Sequence, residues 1–373
     1  MHEGDFVVIR WADKATLHAY GLWLWENRMA DGGIDERTRE GKIDPANLPT
    51  STVINEVEVV DGHLIVRWTD GAANEFDAGW LHHVALDAQR VDAGLPPAQL
   101  WDTRDFVEPP SIDGRRVLAG DDAALHEWLT LLARFGLARL EELPIDDEIL
   151  PAIGRMIGAL RDTNFGVTWP VSVDFAPTST ANTPLPLPPH SDLPTRETPP
   201  GFQLLHCQIN TCGGGLSTMA DGHAVAAWFR DNEPEHYDAL TTLRWTFFNR
   251  SPGHDHRWSG PIIDAGAPGQ PLTLRAFHPV RGFPDMAPED QPRAYAALRR
   301  FSEVAASPPF QVCYAFRPGD LVAFDNRRVL HGRTAIDEAG GSRVLHGTYI
   351  DHDEVYSRLR VLTRGLQSQS LDS

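Results

Sequence analysis

The chain has 373 residues, 42% of them hydrophobic and 23% charged, with 52 acidic against 33 basic side chains and a formal net charge of -19. That length supports one large domain and one small one, and the apolar content is ordinary for a folded globular protein. The acidic balance excludes nucleic acid as an expected partner, because its phosphates would be repelled. No apolar run approaches membrane-spanning length, so no membrane partner is expected, and Met1-His2-Glu3-Gly4-Asp5 lacks the basic-then-apolar pattern of an export signal. Cys207, Cys212 and Cys313 form no close pair, which implies a reducing compartment without a disulfide framework. The expectation is a soluble, cytoplasmic protein acting on a small molecule.

Residues 1–90 read as a small α/β domain. Phe6-Val7-Val8-Ile9 and Val57-Glu58-Val59-Val60 suggest strands, Asp61-Gly62 a hairpin turn, and His63-Leu64-Ile65-Val66-Arg67-Trp68 the returning strand. Residues 91–115, rich in proline and acidic side chains and without sustained periodicity, read as a linker to a domain spanning 116–373. There Asp121 caps a helix with Leu125, Trp128, Leu129 and Leu132 at helical spacing, ending near Gly136. The pattern then predicts a strand over 137–140, a helix from Asp146 to about Leu160, and a strand over 166–173 leading into a proline-rich loop. Beyond the loop come an apolar strand at 202–207, two short helices over 224–243 and a longer helix over 292–306. A strand pair over 310–324 turned by Pro318-Gly319 and a strand over 342–350 complete the pattern. Strands spread from 137 to 350 with inserted helices suit a mixed α/β, mainly β architecture, a double-stranded β-helix or jelly-roll, with the candidate site at its mouth.

The chain is organised around Pro188-Pro189-His190-Ser191-Asp192-Leu193. On an extended backbone residues two apart point to the same side, so His190 and Asp192 can offer an imidazole nitrogen and a carboxylate oxygen to one metal ion. His331, in Leu330-His331-Gly332-Arg333, is the candidate third ligand. Two histidines and a carboxylate on one face of an ion leave the other face open, the arrangement of non-haem Fe(II) oxygenases. With 16 histidines present, a His-x-Asp triplet arises about once by chance. His236-Tyr237-Asp238 is such a case: it falls in a predicted helix, where i and i+2 diverge, and reads as a solvated surface pair. The residues alone leave two readings open, a metal triad or a loop His with a turn-capping Asp and a separate buried His. Arg343 follows His331 by twelve residues (343 minus 331) on the last predicted strand. Were that strand to run back beside the His331 strand, its guanidinium could grip a carboxylate near the metal with two hydrogen bonds.

From about residue 116 to 365 the chain resembles the gamma-butyrobetaine dioxygenase group of the Fe(II)/2-oxoglutarate oxygenases, within the wider taurine-dioxygenase-like family. The resemblance is carried by His190-Ser191-Asp192, Pro199-Pro200-Gly201-Phe202-Gln203-Leu204-Leu205-His206-Cys207, Pro318-Gly319-Asp320, Phe324-Asp325-Asn326 with Leu330-His331-Gly332-Arg333, and Ser357-Arg358-Leu359-Arg360. It implies that His190, Asp192 and His331 bind Fe(II) as the catalytic centre, that Arg343 binds a carboxylate of 2-oxoglutarate, and that O2 is the second cosubstrate. Asp325, Asn326 and Arg333 flank His331 and are candidates for cosubstrate contact or for orienting the ligand histidine. Trp169 and Tyr349 match positions of the family's aromatic cage around a trimethylammonium head, and Phe165 stands where a tyrosine is expected. Asn182 and Leu193 replace aromatic residues, and the stretch around His278-Pro279 differs from the family's asparagine-containing pocket segment. The family's first domain often carries zinc. Here Arg28, Met29, Ala30 and Asp31 follow Trp23-Leu24-Trp25-Glu26-Asn27 where its cysteines would stand, so no zinc is expected at His82 and His83. A homodimer is implied by the resemblance alone.

Three functions follow. The first is hydroxylation of an unactivated C–H bond in a small zwitterion, a betaine, amino acid or phosphonate-like metabolite other than gamma-butyrobetaine itself. The second is desaturation or cyclisation by the same iron centre, and the third a non-catalytic binding protein with a family-like barrel. The filled metal and cosubstrate positions favour the first.

Overall fold

The computed structural model describes the chain except residues 1, 4, 30–31, 36, 39, 51–53, 87–92, 173–183, 267–270, 338–340 and 372–373, and the side chains of 2–3 and 367–371. Two compact units emerge, Met1–Gly94 and Leu95–Ser373. The first holds two three-stranded antiparallel sheets, with the predicted hairpin turned at Asp61 (φ 48°) and Gly62 (φ 80°). Val7, Leu24, Val66, Trp68, Phe76 and Leu81 form its core. His82 Nε2 lies 2.8 Å from Asp13 Oδ2, so this histidine has a carboxylate partner within the unit.

The second unit begins earlier than the sequence suggests. Within the stretch read as linker, Trp101 is buried, its backbone N–H donates to Asp221 and its indole to the Phe135 carbonyl, and Ser111–Asp113 pairs in parallel with Leu137–Glu141. Proline and acidic content hid this segment, because its anchoring partners lie far along the chain. Numbered from Ser111, the strands that build the site are β1 (Ser111–Asp113), β2 (Leu137–Glu141), β3 (Thr168–Ser172), β4 (Leu187–His190), β5 (Phe202–Asn210) and β6 (Ser217–Asp221). They continue as β7 (Arg244–Ser251), β8 (His254–Gly260), β9 (Arg281–Asp285), β10 (Val312–Tyr314), β11 (Leu321–Asp325), β12 (Val329–Arg333) and β13 (Arg343–Ile350).

One sheet has six strands in the order β1-β2-β11-β5-β13-β3, a second has four in the order β4-β12-β6-β10, and β8-β7-β9 form a third. Leu205, Cys207, Phe324 and Leu345 of the six-stranded sheet share a core with Met219, Val312, Tyr314 and Val329 of the four-stranded one. The outer face of the larger sheet carries Leu140, Phe202, Leu204 and Ile350, covered by the helices Asp122–Phe135, Ile149–Ile157 and His352–Leu371. The first of these is the predicted helix, capped by Asp121 and stopped by Gly136 at φ 67°. The second is shorter than read, since Asp146 opens a turn that leads to Ile149 and the helix ends before Gly158. The architecture is thus mixed α/β and rich in strands, and no helix among the described residues is long and apolar enough to cross a membrane.

Two pairing expectations need correction. The segments at 310–324 are not a hairpin: β10 pairs with β6 and β11 with β5 and β2, so the chain crosses from one sheet to the other. Gly319 makes that crossing at φ 90°, where a Cβ would sit 2.6 Å from the Leu143 carbonyl oxygen. Likewise β13 does not lie beside the His331 strand but pairs with β5 and β3 in the opposite sheet. Period-two alternation gives a strand its two faces and says nothing about which neighbour it takes.

The sheets and helices around β6 are tied by a buried ion pair. Arg328 Nη2 lies 2.7 Å from Asp221 Oδ2, both side chains all but inaccessible, while Asp221 also caps the helix Gly222–Asn232 and accepts the Trp101 N–H. Removing one partner of such a pair strands a buried charge. Asp221→Ala is therefore expected to cost about 3 kcal/mol or more of stability, read as a lower midpoint in denaturant unfolding.

Candidate active site

Strands β4 and β12 run antiparallel, and their register sets the Cα of His190 opposite that of His331. Residues 141 positions apart (331 minus 190) become direct neighbours, with ring centroids 4.1 Å apart. His190 Nδ1–H donates to the Pro188 carbonyl over 3.0 Å, which leaves Nε2 as the available lone pair. That Nε2 lies 3.3 Å from Asp192 Oδ1, and His331 Nε2 lies 3.7 Å from Asp192 Oδ2. The three ligand atoms fall within 4.8 Å of one another, and this is the one such cluster among the described residues. Burial opposes the charge of Asp192, but the His331 and His190 imidazoles and the Tyr349 hydroxyl outweigh it and hold the carboxyl well below the usual range. Burial and the neighbouring His190 push His331 down to about 3. A carboxylate that stays ionised beside an imidazole that stays neutral is a donor set ready for a divalent metal.

Asp192 reaches this position by a route other than the expected one. The strand stops at His190, and Leu193 turns the chain at φ 52°. What fixes the turn is a set of backbone hydrogen bonds. Asn326 accepts from the Asp192 N–H at 2.6 Å and returns its own amide hydrogens to the Asp192 and Pro200 carbonyls at 3.0 and 3.3 Å. Asn326 is fully buried under the ligand rather than in the cavity, so the cosubstrate contact considered for it gives way to a positioning role. The Ser191 hydroxyl donates to the Leu274 carbonyl and accepts from Ala276, and buried Arg275 donates to the Pro194, Arg196 and Glu197 carbonyls at 2.7–3.1 Å. Tyr349 Oη donates to Asp192 Oδ2 at 2.7 Å. Asp325, next to Asn326, has its Oδ1 2.9 Å from His352 Nε2.

The triad opens on a cavity of about 870 Å³ lined from both sheets and from the β7–β8 hairpin. Arg343 lines it from β13, buried, with Nη2 donating to the Ser217 hydroxyl at 3.2 Å and Nε without a hydrogen-bond partner. No carboxylate acts on it among the described residues, and burial lowers its pKa. Arg333, opposite Ser217 on β12, donates to the Leu185 carbonyl at 2.8 Å and also lines the cavity. Trp169 and Tyr349 stand with ring centroids 4.6 Å apart, and Phe165 is 6.1 Å from Trp169. Gly347 makes room for the indole, since a Cβ there would lie 2.8 Å from the Trp169 ring.

Leu193 lines the cavity as expected, and Asn182 lies outside the described residues. His278 does not line it; its neighbours Phe277, Pro279 and Val280 do, and Phe277 stacks on His190 with ring centroids 4.7 Å apart. The sequence reading also missed Gln203, Ser217, Asn249, Arg250 and His254 as lining residues. For Gln203, a polar residue set between Phe202 and the Leu204-Leu205 pair at the buried start of its strand was the available signal. The hairpin residues carried none.

Asn326→Leu keeps the branched side-chain shape and heavy-atom count and removes both hydrogen bonds to the Asp192 backbone. A fall in Fe(II) affinity of about 10- to 100-fold, measured by competition with a chelator, is the expected outcome, together with a preserved circular dichroism spectrum.

The model of the taurine catabolism dioxygenase TauD, TfdA family matches residues 94–349. The gamma-butyrobetaine dioxygenase of Pseudomonas sp. (strain AK-1) is 36% identical over 362 residues, covering 96% of this chain and 94% of the relative. The mitochondrial trimethyllysine dioxygenase of Homo sapiens is 26% identical over 375 residues, covering 98% of this chain and 87% of the relative. Among solved structures, a taurine dioxygenase from Burkholderia xenovorans shares the fold at a TM-score of 0.50 and 16% identity, covering 68% of this chain and 91% of that one. With its His-Asp-His cluster, the chain belongs to the TauD/TfdA dioxygenase family as a gamma-butyrobetaine-dioxygenase-like, Fe(II)- and 2-oxoglutarate-dependent oxygenase.

Proposed function

We propose that this oxygenase hydroxylates an unactivated C–H bond of a small zwitterion, with its two main sheets forming a double-stranded β-helix that carries the site at one end. The observation that carries the reading is the pairing, in one cavity, of a His-Asp-His face with a buried arginine that has no carboxylate partner among the described residues. In this reading His190, Asp192 and His331 hold Fe(II), and Arg343 with the Ser217 hydroxyl receives the distal carboxylate of 2-oxoglutarate. An unpaired guanidinium in a buried wall is expensive to keep and gains most from an anionic ligand.

When bound, Fe(II) supplies the activation of O2 that couples decarboxylation of 2-oxoglutarate to succinate and CO2 with transfer of one oxygen atom to the substrate. The chain's own residues do the positioning. The Pro188 carbonyl holds the His190 proton on Nδ1 so that Nε2 faces the ion, and Asn326 and Tyr349 fix the two ends of Asp192. Leu205, Met219 and Leu345 give the cavity an apolar wall that keeps water from the reacting carbon. Trp169, Phe165 and the Tyr349 ring offer faces to a compact cation. Leu193, in place of an aromatic, takes a face from this cage, which supports a zwitterion related to gamma-butyrobetaine rather than gamma-butyrobetaine itself.

The test is substrate-dependent succinate release across quaternary-ammonium, amino-acid and phosphonate compounds. His190→Ala is expected to abolish it, and undiminished turnover would refute the metal assignment. Arg343→Met is expected to raise the KM for 2-oxoglutarate about tenfold or more, the loss of a charge-assisted hydrogen bond. A product heavier by one oxygen supports hydroxylation, whereas a loss of two hydrogens moves the same centre to desaturation or ring closure. Gamma-butyrobetaine turned over as fast as the best compound in the panel would overturn the narrower substrate statement.

A further inference from the structure

The charges in the cavity wall are few and unevenly placed. Among the described lining residues the one carboxylate is Asp192, and the guanidiniums are Arg333, Arg343 and Arg250. The first two arginines flank Ser217, one across the strand pair and the other by hydrogen bond. Arg250 comes from a separate element, the tip of the β7–β8 hairpin, where it is exposed at the cavity mouth. Its cross-strand neighbour is Asp255, an acid of the kind that would ordinarily neutralise it. Asp255, however, is held in a two-pronged grip by Arg257, with Nε to Oδ1 at 2.7 Å and Nη2 to Oδ2 at 2.6 Å. Arg250 makes no ion pair of its own among the described residues, and its guanidinium lies 5.7 Å from the centroid of the Phe248 ring.

The residues around it complete a set of donors. His254 Nε2 lies 3.4 Å from Asn249 Oδ1, and His254 Nδ1 lies 2.8 Å from the Ser251 hydroxyl. With its oxygen engaged by the imidazole, Asn249 has its amide hydrogens left to offer. Asn249, Arg250, Ser251 and His254 all line the cavity that holds the metal cluster. A guanidinium beside an amide donor and near an aromatic ring, whose cross-strand acid is already gripped by Arg257, is a receptor for a carboxylate or an acid of similar shape.

We infer that the tip of the β7–β8 hairpin binds the anionic end of the substrate, with Arg250 as the residue that sets specificity for it. This rests on the zwitterion reading of the preceding section and adds the place where the negative end is read, opposite in charge to the aromatic faces and separate from the cosubstrate arginines. It makes the substrate's acid group a requirement and its spacing from the cation a measured quantity.

The experiment uses the full chain loaded anaerobically with Fe(II) and 2-oxoglutarate, titrated calorimetrically with matched probes. Trimethylammonium carboxylates of increasing chain length, from glycine betaine through gamma-butyrobetaine to 5-trimethylaminovalerate, are each compared with the alkyltrimethylammonium ion lacking the carboxylate. The wild-type protein is expected to bind the best carboxylate about tenfold or more tightly than its partner probe. Arg250→Gln is expected to bring the two within about twofold, by weakening the carboxylate alone, and Arg250→Lys to keep most of the preference. Equal binding of the paired probes by the wild type, or an undiminished preference in Arg250→Gln, overturns the hairpin subsite while leaving the zwitterion reading standing. Failure of every probe to bind the wild type overturns the trimethylammonium carboxylate as the occupant, and this inference with it.

Discussion

The site depends on one strand register. Because β4 meets β12 with His190 opposite His331, two imidazoles from distant parts of the chain face the same cavity. A slip of one residue would send one of them to the other side of the sheet. The close approach is written into Gly332, beside His331, where a Cβ would lie 2.4 Å from the Leu187 carbonyl oxygen. The third donor is not on a strand at all. Asp192 sits in a turn whose backbone is held by Asn326, Ser191 and, farther along, Arg275, so its position is set by polar bonds rather than by pleating.

The charges are arranged to suit ligands more than the bare protein. Burial works against Asp192, His331 and Arg343 in their charged forms, and two of these find relief inside the protein only in part. Asp192 lies well below the usual carboxylate range and His331 is driven neutral, which is the protonation pattern a metal needs. Arg343 has a serine hydroxyl and an aromatic ring near it, and no acid pairs with it among the described residues. Such a wall gains from binding a cation at one end and a dianion at the other, and the fold around it supplies the stability that these groups do not. The Arg328–Asp221 pair, by contrast, is fully satisfied and serves the framework.

Much of the second unit's secondary structure is visible locally, since capping residues and periodicity are short-range signals. Asp121, the apolar face from Leu125 to Leu132 and Gly136 define their helix without help from the rest of the molecule. The stretch before Ser111 is the opposite case. Trp101 is fixed by partners at Phe135 and Asp221, too far along the chain for any local pattern to reveal. The strands over 310–325 were visible as strands, yet their assignment to different sheets was not.

The sequence by itself determined the chemical inventory. A His-x-Asp between prolines, a distal His and a later Arg list the groups available, and their setting in family-like segments implies the donors and the cosubstrate, because residue type and order specify which chemistry is on hand. Only the tertiary structure decided how those groups act together. It moved Asn326 from the cavity to the support of Asp192, tied Tyr349 to the same carboxylate, placed Arg343 on the sheet opposite His331, and brought an unremarkable hairpin with Arg250 to the mouth. The physical reason is that hydrogen bonds and strand pairing act over a few ångströms in space, at separations along the chain that residue order does not encode.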